Sequence, residues 1–353
     1  VSRLFLGGGE VGAATQTVRA FIGAEITGAL PATRFEIIPK STPNLAVAIG
    51  SSSKFITIAD VEAAIDASTG IVGNISDMCW APSLGLLCAA GANGNTYTSP
   101  DRIHWTEHTT PLTGQGFNTI DWSPVRGRFV AAGYMGYGAV STDGVTWASQ
   151  RINAYNLYTG AVRWSAKLGM FLGGNTTGTL SYSTTGLSPW NFTNNALGSE
   201  HIICIAVSTV AALAVIAGNA GRISTSTNGS GWTARTSNLP GPARSAAHSP
   251  TQNMFCVVGD GGGITTSNST ATTWTARVNP LGTANMKRVV WWTGGARFLA
   301  TDGVSIIQST DGVTWTLFDV LAGTSIQAMT DAPALPMPAA GALVHGGDRY
   351  AIA

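Results

Sequence analysis

Ser141-Thr142-Asp143-Gly144-Val145-Thr146-Trp147 decides the fold, because recognisable copies of it recur at one period along most of the 353 residues. The clearest second copy runs from Ser309 to Trp315, and looser copies end in Trp105, Trp190, Trp232 and Trp274. The six tryptophans Trp105, Trp147, Trp190, Trp232, Trp274 and Trp315 stand 42, 43, 42, 42 and 41 residues apart. A fixed period of this length marks a repeat architecture. An Asp-Gly or Asn-Gly pair between short β-prone runs specifies a tight hairpin, since Gly tolerates positive φ and the Asp or Asn side chain bonds its own turn. The Trp that follows enters the next strand, where its apolar body packs between units and its indole N–H reaches a turn carbonyl. Asp101, Asp143, Asp311 and the six tryptophans are therefore assigned to structure rather than chemistry.

Two further signals keep the same period. Ahead of each hairpin lies an apolar strand ending in small residues and Gly, as in Leu87 to Gly91, Val130 to Gly133, Phe171 to Gly174, Val215 to Gly218 and Val257 to Gly259. Ahead of that lies another strand, marked by Cys79-Trp80, Asp121-Trp122, Arg163-Trp164, His248-Ser249 and Trp291-Trp292. Four strands in about 42 residues is the pattern of a propeller blade.

The chain order gives an all-β propeller of four-stranded antiparallel blades. Residues 1–33 fall outside the repeat, with Arg3 to Leu6 and Thr17 to Ile22 as strands, and residues 34–353 form the propeller. Blades are expected at about 34–73, 74–114, 115–154, 155–198, 199–241, 242–282, 283–323 and 324–353. The first includes a strand at Phe35 to Ile38. The last offers three strands, Ile326 to Met329, Ala342 to Val344 and Tyr350 to Ala353. A ring leaves no long exposed edge only if it closes, so the N-terminal strand is expected to complete the last blade. Eight blades are favoured; seven is the alternative, if residues 34–73 and 324–353 merge.

Charged residues make up only 10% of the chain, far below the usual quarter, and net charge is +1 with four Lys. The surface is thus rich in Ser, Thr, Asn and Gly, with no basic footprint for nucleic acid. Cys79, Cys88, Cys204 and Cys256 fall at strand positions and read as buried thiols; Cys79 and Cys88 face each other on adjoining strands, which leaves one disulfide open. The run from Val1 to Glu10 is too apolar-poor for a signal peptide, so Sec export is not expected. Ile202 to Gly218 carries no charge, but its register with the repeat makes it two buried strands joined at Ser208-Thr209 rather than a membrane span.

His104-Trp105-Thr106-Glu107-His108 fits a zinc-peptidase pattern that requires a helix. Trp105 puts the segment on a strand, where residues i and i+4 are roughly 13 Å apart, too far to share a metal bonded at about 2 Å. No metal and no cofactor are expected.

The Ser-x-Asp-Gly-x-Thr-Trp copies resemble the Asp-box (bacterial neuraminidase) repeat, in a form one residue shorter between Asp and Trp, and the propellers of sialidases, photosystem assembly factors and phage tail proteins. The resemblance covers residues 74–323. It implies the fold and a structural turn on the face opposite the ligand site. A sialidase-like site would need three arginines, for which Arg244, Arg288 and Arg34 are candidates, but no Tyr–Glu pair or Phe-Arg-Ile-Pro motif accompanies them. A glycan-processing hydrolase is the alternative function and a propeller assembly factor the second alternative. The expected function is a non-enzymatic bacteriophage virion protein, assembled in the host cytoplasm, serving at the tail tip or tail fibre in receptor binding or tail assembly. Its partners would be other tail proteins and a host surface glycan or protein.

Variable loops on a rigid scaffold are where recognition sits. Loops after the second and fourth strands of a blade share one face, which places Tyr134 and Tyr137 beside Tyr155, Asn156 and Tyr158. These five are the candidate contact platform, with Arg244 and Arg288 as an anion contact at the channel mouth.

Overall fold

The computed structural model describes residues 74–100, 105–153, 156–318 and 326–331 with their side chains, and some flanking strands by backbone alone. Each repeat forms a four-stranded antiparallel meander. In the first, Ile75–Ala81, Leu86–Gly91, Thr96–Ser99 and Thr106–His108 pair in order. Five more sheets of the same order occupy residues 117–151, 159–193, 202–235, 243–276 and 288–320. The first strands of neighbouring sheets lie side by side, so these are the inner strands of a ring.

Six blades are thus built from continuous stretches of chain, a correction to the eight favoured and the seven held as alternative. One further four-stranded sheet is composite, with strand order Ile326–Ala332, Leu45–Gly50, Phe55–Ile58, Ala64–Asp66. Its inner strand, Ile326–Ala332, lies between those of the sixth and first blades. Closure therefore comes from the C-terminal side, not from the N-terminal strand. Arg3–Leu4 pairs instead with Arg349–Ile352, which pairs with Leu343–Gly346, while Gln16–Arg19 forms a hairpin with Glu25–Gly28. The chain divides into two compact units, residues 44–333 and residues 1–43 with 334–353. Leu343–Gly346 and Arg349–Ile352, in the range expected for the last blade, belong to the unit of residues 1–43 with 334–353. Phe35 to Ile38 lies outside the described residues.

Small residues on the second strands let the sheets pack closely. At Gly133 a Cβ would stand 2.2 Å from the Gly116 carbonyl oxygen, so a side chain there is excluded by backbone. Between sheets, one aromatic arrangement repeats. Trp122 packs on Phe129 at 4.5 Å and Phe129 on Trp147 at 6.1 Å, and Trp164–Phe171–Trp190 and Trp291–Phe298–Trp315 follow the same order. His248 replaces the first Trp against Phe255 in the fifth blade. Trp147 shares its cluster with Cys79, Ala81, Cys88 and Ala90 of the preceding blade, so the repeat Trp joins blades.

The hairpin chemistry is as the motif requires. Gly144 sits at φ +78, in the region that favours Gly. Ser141 Oγ accepts from the Gly144 amide at 2.8 Å, and Asp143 Oδ1 accepts from the amides of Val145 and Thr146 at 2.8 and 2.7 Å. Trp147 Nε1 donates to the Gly144 carbonyl at 3.0 Å. Asp311 repeats the two amide contacts at 2.8 Å each, and Asn228 makes them at 3.0 and 2.7 Å. Trp232 and Trp274 donate to Gly229 and Ala271 carbonyls at 3.2 and 3.1 Å. Asp101 lies outside the described residues.

Ile202–Val207 and Ala214–Gly218 are antiparallel strands of the fourth blade, and no helix among the described residues is long and apolar enough to cross a membrane. All four cysteines are buried and free. Cys79 and Cys88 stand opposite each other across a strand pair without a disulfide. His108 Nε2 lies 2.7 Å from Thr98 Oγ1 across the strand pair.

Candidate functional site: the top-face loops and the central channel

Two neighbouring loops build an aromatic surface. The second strand of the second blade ends at Gly133, and Tyr134–Gly136 then turns through Met135 at φ +49 before Tyr137 begins the third strand. The fourth strand, Ala148–Arg151, leads into the loop that carries Asn156 and Tyr158. The rings of Tyr134 and Tyr158 meet edge to face at 5.0 Å. The Arg151 guanidinium lies over the Tyr137 ring at 4.7 Å. It also donates to the Met135 carbonyl at 3.3 Å and to Asn156 Oδ1. Tyr134, Tyr137 and Tyr158 are 37%, 38% and 44% exposed, so their faces remain open although their positions are braced. Asn153 fixes the loop from beneath, with Nδ2 donating to the Leu157 carbonyl at 2.9 Å. Tyr134, Tyr137, Asn156 and Tyr158 lie together here, and Tyr155 lies outside the described residues. Sequence reasoning missed Arg151, whose only signal was its place at the end of a fourth strand.

The inner strands enclose a central cavity of about 560 Å³. Its lining includes Asp77, Asn118, Thr119, Arg163, His201, Arg244, Arg288 and Gln327. Bulges near the start of five contiguous inner strands and of Ile326–Ala332 interrupt the sheet ladder, and farther along several inner strands a neighbouring blade's side chain meets a backbone amide. The Ile120 amide donates to Asp77 Oδ2 at 3.3 Å, the Val162 amide to Thr119 Oγ1 at 3.0 Å, and the Val289 amide to Ser245 Oγ at 3.1 Å. The Trp164 amide donates to Asp121 Oδ2 at 2.6 Å. These side chains are inter-blade clamps, satisfying amides that would otherwise be buried without a partner.

Charge in the channel is unevenly matched. Arg163 Nη1 lies 2.9 Å from Asp77 Oδ2 and also donates to the Val162 carbonyl at 2.7 Å. Burial opposes its charge, but Asp77 and Asp121 outweigh that and hold the guanidinium above its ordinary value. Burial pushes the Asp121 carboxyl up to about 6, against the pull of Arg163 and the Trp164 amide. Arg244 and Arg288 lie on adjacent inner strands, as expected from their repeat positions, but they differ in partner. Arg244 sits at the rim with Nε donating to Asp260 Oδ1 at 2.9 Å, so its charge is already paired. Arg288 reaches across the channel, donating to the Lys287 carbonyl at 3.1 Å and the Ser76 carbonyl at 3.2 Å. Arg34 lies outside the described residues. No group of three metal-ligating side chains occurs among the described residues.

No family model matches the sequence, and no curated protein matches it. Among solved structures, the chain is similar to the WD40 β-propeller domain of Doa1, with a TM-score of 0.60 and 11% identity over 80% of this chain and 94% of that one. At that identity the likeness carries fold alone, and it agrees with the sheet order: the chain forms an all-β propeller of four-stranded antiparallel blades.

Proposed function

We propose that the chain is a non-enzymatic binding propeller, a tail-tip or tail-fibre component of a bacteriophage virion, and that it contacts its receptor or a neighbouring tail protein through the top-face platform. The observation that carries this reading is the braced cluster of Tyr134, Tyr137, Arg151, Asn156 and Tyr158, drawn from the loops after the second and fourth strands of the second blade. Rigid, exposed aromatics give contact area at low entropic cost, and their faces suit stacking on a sugar ring or burial against a protein. The virion assignment rests on the resemblance of the turns to Asp-box repeats and on the low-charge, Ser/Thr/Asn/Gly-rich composition. The channel carboxylate Asp77 and the neighbouring inner-strand carboxylate Asp121 both serve inter-blade hydrogen bonds, which supports a binding role over the hydrolase alternative.

Mass spectrometry of purified particles tests the location, and a particle carrying Tyr137→Ala with Tyr158→Ala tests the surface. The expected result is a particle that contains the chain, assembles, and adsorbs more weakly to host cells. A chain absent from the particle, unchanged adsorption and assembly, or hydrolysis of a sialoside or polysaccharide by the isolated protein overturns the proposal.

A further inference from the structure

His248 stands where other junctions of the ring hold a tryptophan. Trp122, Trp164 and Trp291 pack on Phe129, Phe171 and Phe298, whereas in the fifth blade an imidazole packs on Phe255 at 4.7 Å. A titratable group, only 8% exposed, is thereby placed between two blades. Its polar contact across that junction is Ser208 Oγ, 3.1 Å from Nε2, just past the end of the fourth blade's inner strand Ile202–Val207. Ser208 Oγ also accepts from the amides of Val210 and Ala211 at 3.2 and 3.1 Å. With both lone pairs engaged, the hydroxyl donates to a neutral ring and has nothing to offer a protonated one. A proton on Nε2 therefore sets an N–H against a filled oxygen and leaves a buried charge.

No counter-charge is at hand. The strands packed on that of His248 are Ile202–Val207, Ala214–Gly218, Met254–Gly259 and Arg288–Trp292. The first three carry no charged residue, and neither do the turns of residues 208–213 and 250–253. Arg288, like Arg244 on the strand of His248 itself, stands at the opposite, channel-mouth end. Burial lowers the His248 pKa, Asn253 in the adjoining turn acting the other way, so the ring is neutral near pH 7.

From this we infer that the junction of the fourth and fifth blades is a pH-sensitive switch: closed while His248 is neutral, it opens in mild acid as the ring takes a proton, parting Ala206, Leu213 and Val215 from Phe255 and Val257, with which they share a buried cluster. The sign follows from linkage. The closed form holds the proton less tightly than the open one, so closure is fully favoured above the ordinary imidazole value of 6.5 and weakens as pH falls below it. The switch is independent of the platform of Tyr134, Tyr137 and Tyr158 and does not rest on the virion reading.

The test is amide hydrogen exchange of the full chain, followed by mass spectrometry at about pH 7.5 and about pH 5 and corrected for the intrinsic pH dependence of exchange. Peptides within residues 205–216 are expected to open about fivefold or more as readily at the lower pH, while residues 297–309 of the sixth blade keep their protection. Asp121, a buried carboxyl with a pKa of about 6, lies at the junction of the second and third blades and is read in other peptides. His248→Gln and His248→Trp, the second restoring the residue of the other junctions, are both expected to abolish the acid response of residues 205–216. His201→Gln retains it, since His201 precedes the other end of Ile202–Val207. An acid response absent from residues 205–216, one that persists in His248→Gln or in His248→Trp, or one that disappears in His201→Gln overturns the inference.

Discussion

Replacing Trp147 with Ala removes a side chain that is only 7% exposed and that joins the second blade to Cys79, Ala81, Cys88 and Ala90 of the first. It also removes the indole N–H that the Gly144 carbonyl accepts at 3.0 Å. Large aromatic-to-Ala changes in cores cost about 3–5 kcal/mol, and the lost hydrogen bond lies within that range, at about 1 kcal/mol. At about 2 °C per kcal/mol for a ring of this size, the melting temperature should fall by about 6–10 °C. Trp232 supplies an internal comparison, because it makes the same carbonyl contact at 3.2 Å but is only half-buried. Trp232→Ala should therefore cost less. The assay is thermal unfolding followed by far-ultraviolet circular dichroism, with Thr106→Ala on an exposed edge strand as reference. A Trp147→Ala shift no larger than that of Thr106→Ala would refute the claim that this Trp is packed between blades.

Three further outcomes follow from local chemistry. Burial opposes ionisation of Asp143, but the Thr146 and Val145 amides and the Ser141 hydroxyl outweigh it and set the carboxyl at about 2; Asp311, led by the Thr314 amide, also lies at about 2. Both folded values are depressed, so the stabilisation is complete above an ordinary carboxyl value near 3.8 and is lost as pH falls towards 2; acid titrations of melting should flatten in Asp143→Asn with Asp311→Asn, by a modest amount because both groups are largely exposed. Asp77→Ala should cost about 2–4 kcal/mol in denaturant unfolding, since it strips Arg163 of its partner and frees the Ile120 amide, and adding Arg163→Ala should cost less than the separate effects combined. Gly178→Ala should destabilise strongly, its Cβ falling 2.0 Å from the Gly198 carbonyl oxygen, whereas Gly127→Ala, with positive φ but open space, should cost only about 1 kcal/mol by thermal melting.

The repeat was legible because its physics is local. Ser141, Asp143, Gly144 and Trp147 satisfy one another within seven residues, so their spacing alone reported the turn and the strand after it. The same holds for the neighbourhood of Tyr134 and Tyr158, since loop order in a meander places them on one face. Blade count was not local. Leu343–Gly346 and Arg349–Ile352 have strand composition, and nothing in their residues says that they share a sheet with Arg3–Leu4 rather than with Ile326–Ala332. The clamps were missed for a related reason: Asp77, Thr119 and Ser245 meet partners 42 to 44 residues away, which a reading within one repeat does not connect. Stacking the repeats would have shown polar side chains in one column of an otherwise apolar strand.

The composite sheet also sets an order of events during synthesis. Each of the six contiguous blades can form as soon as its own residues leave the ribosome, with hairpin-scale loops and little chain to organise. Leu45–Gly50 cannot be fully paired then, because its inner partner Ile326–Ala332 is made about 280 residues later. Until that strand arrives, the nascent ring carries an open β edge at Leu45–Gly50, the kind that recruits strands from other chains. The late strand acts as a timed latch, and a nascent chain stalled before residue 326 is the species most exposed to aggregation.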